Sequence, residues 1–251
     1  MLIHEDFVDL TTPTGVMRAH RFMPVGAAGL SGAKARPGIV LFSEIYQVTG
    51  PIRRTARQLA GQGFLVVCPE VYHEFEPLGC ALNYDKEGTD KGNRYKVEKE
   101  VSAFDADAEA CVRYLKQESL CDGRVGAMGI CLGGHLAFRC AMLDGVSAAA
   151  CLYPTDIHQG SLGLGKQDDT LSRLPELKAE MLMVWGKEDP HIPQAGRDLI
   201  HRAMLAAASD FTWHEFHAQH AFIRDEGYRY DPALAELVMG LVLELFRRKL
   251  G

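Results

Sequence analysis

The chain has 251 residues, 47% of them hydrophobic and 24% charged, with 27 Lys+Arg against 33 Asp+Glu and a formal net charge of −6. Two Trp, eight Tyr and eleven Phe on that apolar background exclude a disordered chain. The mildly acidic balance carries no electrostatic footprint for nucleic acid or an anionic membrane, so neither is expected as a partner.

No apolar run approaches the ~18 residues of a membrane span. The longest in the C-terminal region, Leu237 to Leu243, is bounded by Glu236 and Glu244. The start, Met1-Leu2-Ile3-His4-Glu5-Asp6, lacks the basic residues and apolar stretch of a secretion signal. A cytoplasmic protein is expected. Seven cysteines, an odd number at irregular spacing and with no CxxC pair, argue against both a disulfide framework and a thiolate zinc site.

Residues 5–23 read as two extended segments around a turn at Pro13-Thr14-Gly15, without an intervening helix, and predict an antiparallel edge. A small-residue linker, Gly26–Pro37, leads to the continuous apolar run Gly38–Phe42, which suits a strand buried on both faces. Helical spacing then runs over Pro51–Gln62, and Phe64–Val67 is a second buried strand. Residues 73–97 show no clear periodicity and are dense in charge; a connection this long is usually functional, and it is a candidate cap over a cleft or an exposed loop.

From Val97 to Leu115 the apolar residues recur at steps of three and four. Strands follow at Val125–Met128, Ser147–Tyr153, Met181–Trp185 and Phe211–Phe216. Helices are expected over Gly134–Met142, from about Pro193 to Ala207, and from Pro232, with Asp231 as N-cap. This alternation predicts a single α/β domain over 1–251, with a mostly parallel central sheet and helices on both faces. In such sheets the ligand lies beyond the carboxyl ends of the strands.

The turn after Val125–Met128 reads Gly129-Ile130-Cys131-Leu132-Gly133-Gly134. By itself this fits a buried cysteine on a glycine-rich turn. Between a strand and a helix it is the elbow that exposes a nucleophile, with Cys131 in the nucleophile's place. The helix N-terminus behind it favours a thiolate, and the Leu132 amide can face a developing oxyanion.

A nucleophile needs a base and an orienting acid, which follow it in chain order in this kind of fold. Asp189, with Glu188 as its neighbour and rival, follows the strand at 181–185. His220, with His217 as its rival, follows the last strand. His214, His217 and His220 are spaced by three, but strand alternation would send the first two to opposite faces, which argues against a metal site.

With these residues together, the chain resembles a dienelactone hydrolase, a cysteine-dependent branch of the α/β-hydrolase fold. The likeness rests on Ser43-Glu44-Ile45, Gly129-Ile130-Cys131-Leu132-Gly133-Gly134, Gly186-Lys187-Glu188-Asp189-Pro190 and His220-Ala221-Phe222-Ile223-Arg224. It implies a Cys131–His220–Asp189 triad, with Glu44 restraining the resting thiol. It implies oxyanion donors at Ile45 and Leu132, and no cofactor. Its substrate is a small ester or lactone bearing a carboxylate, bound by Arg224 and by a second site among Lys91, Arg94 and Tyr95.

Three other readings stand beside lactone hydrolysis. They are a broader activated-ester hydrolase with side activity on phosphotriesters, a redox-sensing thiol on a silent fold, and a ligand-binding module. The last two need no complete triad.

Overall fold

The computed structural model describes residues 2–25 and 34–251. The expected linker lies partly outside these, since residues 26–33 are not described. Strands β1 (Leu2–Thr12) and β2 (Gly15–Val25) form the antiparallel hairpin, closed at Pro13-Thr14 by Gly15 with φ 129°. The remaining strands are β3 (Arg36–Phe42), β4 (Leu65–Pro69), β5 (Cys121–Ile130), β6 (Val146–Leu152), β7 (Glu180–Gly186) and β8 (Phe211–Phe216). The eight make one sheet in the order β1-β2-β4-β3-β5-β6-β7-β8, parallel from β4 onwards.

The helices are α1 (Gly50–Gly61), α2 (Lys86–Glu98), α3 (Val101–Gln117), α4 (Leu132–Cys140), α5 (Gln194–Ala206) and α6 (Pro232–Leu250). They cover both faces, as neighbouring residues of β3 show. Successive strand residues point to opposite sides. At Gly38 a β-carbon would meet Leu115 of α3, whereas Ile39 shares the side where Gly126 of β5 meets Phe246 and Leu250 of α6. Sandwiched this way, β3, β4 and β7 are buried almost throughout, which explains why they read as unbroken apolar runs.

The segment 73–97 departs from its sequence reading. Most of its second half is α2, capped by Asp85, whose carboxylate accepts from the Gly88 amide at 2.8 Å. The expected helix from Val97 is two helices. The chain straightens at Lys99 (φ −77°, ψ 139°) before α3 begins. Lys99 is wholly buried there, 2.8 Å from Asp107, which also lies 3.1 Å from His73. Glu74 joins the same cluster.

Removing one member of a buried ion pair leaves the other charge uncompensated, at about 3–5 kcal/mol. Lys99→Ala is therefore expected to lower unfolding stability by about that amount. Lys178→Ala, which removes the exposed pair with Asp144, should leave the urea midpoint in place. Equal midpoints for the two variants would show that the Lys99 joint carries no such role.

Candidate active site

Five adjacent parallel strands, β3, β5, β6, β7 and β8, end on the same edge of the sheet, and each delivers a side chain to one cavity of about 490 Å³. β3 runs into Glu44, β5 into Cys131 and β6 into Thr155 and Asp156. β7 leads to Pro190 and β8 to His220. Helix α2 supplies the facing wall with Thr89, Asn93 and Lys96.

Cys131 sits between the last residue of β5 and the first of α4 with φ 61° and ψ −120°. A non-glycine residue held there costs about 1–3 kcal/mol and persists only where packing dictates it. Two glycines permit that packing. A β-carbon at Gly129 would stand 1.8 Å from the Gly133 carbonyl oxygen, and one at Gly133 would stand 2.2 Å from that of Phe42. The helix start therefore lies directly on the strand end, and the thiol projects into the cavity. Among the hydrogen bonds of the described residues, neither the Ile45 nor the Leu132 amide donates to a protein acceptor.

His220 and Asp189 meet below Cys131. His220 Nδ1 is 2.6 Å from Asp189 Oδ2, and Oδ1 of the same carboxylate accepts from the His191 amide at 2.8 Å. Both side chains are buried. The loops that carry them are joined by the Lys187 amide on the Phe216 carbonyl and the Glu188 amide on the Ala218 carbonyl, and Gly186 lets the second loop approach, since a β-carbon there would stand 2.4 Å from the Ala218 carbonyl oxygen. With Nδ1 committed to Asp189, Nε2 remains for the thiol. Burial is the largest influence on His220 and opposes its charge. Negative charge on Cys131 and the bond to Asp189 outweigh it and raise the pKa to about 10.

The rivals fall elsewhere. His217 is exposed and lies 3.0 Å from Glu188, so these two pair with each other at the surface. His214 stacks on Phe216. Of the other cysteines, Cys68, Cys111, Cys140 and Cys151 are buried, and burial pushes their thiols up. Cys80 and Cys121 are partly covered. None of the six lines the cavity.

Glu44 is 3% exposed. It accepts from the Tyr84 hydroxyl at 3.1 Å, and Arg224 lies 3.5 Å away. Burial raises its pKa, against the pull of Arg224, the His220 charge and Tyr84. Tyr84 holds both partners, because the Arg224 guanidinium also lies over its ring at 4.4 Å. Sequence reading missed Tyr84, which sits in the charged segment without a motif around it.

Arg224 reaches the cavity; Lys91, Arg94 and Tyr95 do not line it. The helical turn of 100° per residue puts Thr89, Asn93 and Lys96 on one face of α2 and sends those three elsewhere. Lys91 pairs with Glu87 and Arg94 with Glu98. Tyr95 is buried against Phe75 and donates to Glu76 at 2.7 Å. Lys96 is the basic residue of α2 that faces the cavity, bound to both Asp156 oxygens at 2.9 and 3.1 Å.

The dienelactone hydrolase family model matches residues 25–250. This chain belongs to the dienelactone hydrolase family. A Saccharomyces cerevisiae protein with the provisional name carboxymethylenebutenolidase is 45% identical over all of this chain and 93% of its own length. The Pseudomonas putida carboxymethylenebutenolidase is 35% identical over 84% of this chain and 86% of its own. The crystal structure of a Klebsiella pneumoniae protein, provisionally described as a dienelactone hydrolase, superposes with a TM-score of 0.83 at 23% identity. The match covers 98% of this chain and 99% of that one. The architecture is the α/β-hydrolase fold expected from the sequence.

The charge on His220 depends on its partners, and this can be measured. With burial as the largest and lowering influence, removal of the thiolate should let the imidazole pKa fall. An NMR titration of the His220 side chain is expected to give a value near 10 in the wild type and a markedly lower one in Cys131→Ala. The same value in both proteins would show that Cys131 carries no negative charge beside it.

Proposed function

We propose that this protein is a cysteine-dependent hydrolase of small lactones and esters that works through a thioester. The observation that carries the reading is the buried Asp189–His220 pair beside a thiol on a strained strand-to-helix turn, at the floor of a cavity. The family membership and the names of the relatives support the same chemistry.

The Cys131 thiolate adds to the substrate carbonyl carbon, and the negative charge moves to the carbonyl oxygen. The amides of Ile45 and Leu132 bind that oxyanion. Collapse breaks the carbon–oxygen bond of the ester or ring, and the departing oxygen takes the proton from His220 Nε2. The acyl group stays on sulfur. Neutral His220 then accepts a proton from water as the hydroxide adds to the thioester, and the second collapse returns the thiolate and the carboxylic product. Asp189 holds the ring orientation throughout and stabilises the imidazolium. No step calls on a metal or organic cofactor.

Glu44 contributes charge. It lies close enough to influence His220, and its carboxylate is held by Tyr84 and Arg224. A negative charge in the same cavity disfavours the thiolate, so Glu44 opposes the ionisation of Cys131 that the His220 charge favours. The residues of α2, with the segment that leads into it, serve as a cap over the cavity.

Turnover of p-nitrophenyl acetate, a dienelactone and a phosphotriester by wild type and Cys131→Ala tests the reading. The variant is expected to lose on the order of 10³–10⁶ in kcat on the carboxylic substrates. Wild-type rates in the variant on every substrate turned over would end the nucleophile assignment. Turnover of the phosphotriester alone would favour phosphoryl over acyl chemistry. For Glu44→Gln, the acid limb of iodoacetamide labelling at Cys131 should move to lower pH, because a neighbouring negative charge is gone. An unmoved profile would leave Glu44 without a role at the thiol.

A further inference from the structure

Glu44 and Arg224 each line two spaces. One is the catalytic cavity. The other is about 10 Å³ and is walled also by Ile130, Ile223 and the first turns of α1. A polar space of roughly 10–15 Å³ is the least that holds one water. Pro51, Thr55 and Ile223, which line this small space, also line an outer groove of about 470 Å³ between α1 and the start of α6. Catalytic cavity, small space and outer groove therefore lie in series, each sharing wall residues with the next.

Glu44 gives the small space its chemistry. It is 3% exposed, yet among the hydrogen bonds of the described residues it accepts from Tyr84 alone. Arg224, at 3.5 Å, stands beyond ordinary hydrogen-bond length. A carboxylate has lone pairs for several donors, and leaving them unmet in a buried place is costly. The Thr55 hydroxyl donates to the Pro51 carbonyl at 3.1 Å, so its oxygen is free to accept.

We infer that the small space is a water site on Glu44, and that the three spaces form a rear route along which water reaches the thioester on Cys131. A water there donates one hydrogen to Glu44 and the other to Thr55, and accepts from Arg224. The catalytic cavity holds the acyl group and the departing alcohol after the first half-reaction, whereas the outer groove stays open to solvent. The walls of the groove are tied together by Arg54 of α1, whose Nε and a terminal nitrogen donate to Asp225 at 2.5 and 2.7 Å. The step supplied is the second half-reaction. The water oxygen adds to the thioester carbon, its proton passes to His220, and the carbon–sulfur bond breaks as the thiolate leaves. The route rests on the hydrolase reading, but the water site stands on Glu44 and the space beside it.

The test sets water against a nucleophile that the small space cannot pass. Wild type, Thr55→Met and Ile223→Ala are acylated with p-nitrophenyl acetate in the presence of benzyl alcohol, which competes from the catalytic cavity. Thr55→Met fills the passage and is expected to lower the ratio of acetate to benzyl acetate several-fold, with the rate of the p-nitrophenol burst unchanged. Ile223→Ala widens the passage and should raise the ratio.

An equal ratio in wild type and Thr55→Met, or a fall of the same size in both variants, overturns the route. Should Thr55→Met not fold, an unchanged ratio in Ile223→Ala overturns it. A high-resolution crystal structure is expected to hold one water bonded to Glu44 in the small space, and a dry space overturns the site. A water bonded there, with no Cys131-dependent hydrolysis, would keep the site and remove the hydrolase reading together with the route.

Discussion

The left-handed backbone at Cys131 is the constraint on which the site depends. A thiol on an ordinary strand would lie in the sheet, and one on an ordinary helix turn would pack against its neighbours. The elbow at φ 61° and ψ −120° does neither. It lifts the side chain above the carboxyl edge and puts the N-terminus of α4 directly behind it. Strain of about 1–3 kcal/mol is sustained there because β5 is held between β3 and β6, and α4 packs on all three strands. Gly129 and Gly133 make the approach sterically available, since a single methyl group at either would collide with backbone. Other non-glycine residues in the left-handed region lie on the same edge: Gln47, Tyr153, Asp156 and Ala221.

Around the elbow, charge is arranged in buried or half-buried pairs. Asp189 fixes the orientation of the His220 ring through its contact with Nδ1. Glu44 with Arg224 puts a carboxylate near that imidazole but ties it down, with Tyr84 as the common support. Lys96 with Asp156 fastens α2 to the loop after β6 by an ion pair. Each pair limits what the next can do.

Much of this was legible in the sequence, for identifiable reasons. Parallel strands buried on both faces write themselves as unbroken apolar runs, so the order of strands could be read directly. Cys131, Asp189 and His220 were legible because each sits at a strand end, and strand ends converge in this topology. The place of His220 in the loop beyond the last strand favours it over His217, and the structure separates the two, with His220 buried and His217 exposed. Helix α2 was hidden for a different reason. Its inward face is formed by Gly88, Gly92 and Tyr95, and β-carbons at the two glycines would strike the carbonyls of Asn83 and Ile45. Glycine carries no hydropathy signal, so close packing by small residues leaves no apolar period. The capping aspartate Asp85 was the readable sign. Missing the helix also misplaced the basic residues, because without a phase Lys91 and Arg94 look as close to the cleft as Lys96.

The central claim is that the thiol of Cys131 becomes acylated during turnover, and acid quenching is the direct way to see it. The protein is mixed with p-nitrophenyl acetate, quenched within the first turnovers, digested and analysed by mass spectrometry. An acetyl group on the peptide that carries Cys131, absent after the reaction has run to completion, is the predicted result. Hydrolysis that proceeds while Cys131 stays unmodified at every quench time, with no acetyl group even in a His220→Gln variant in which deacylation is slowed, would contradict the account.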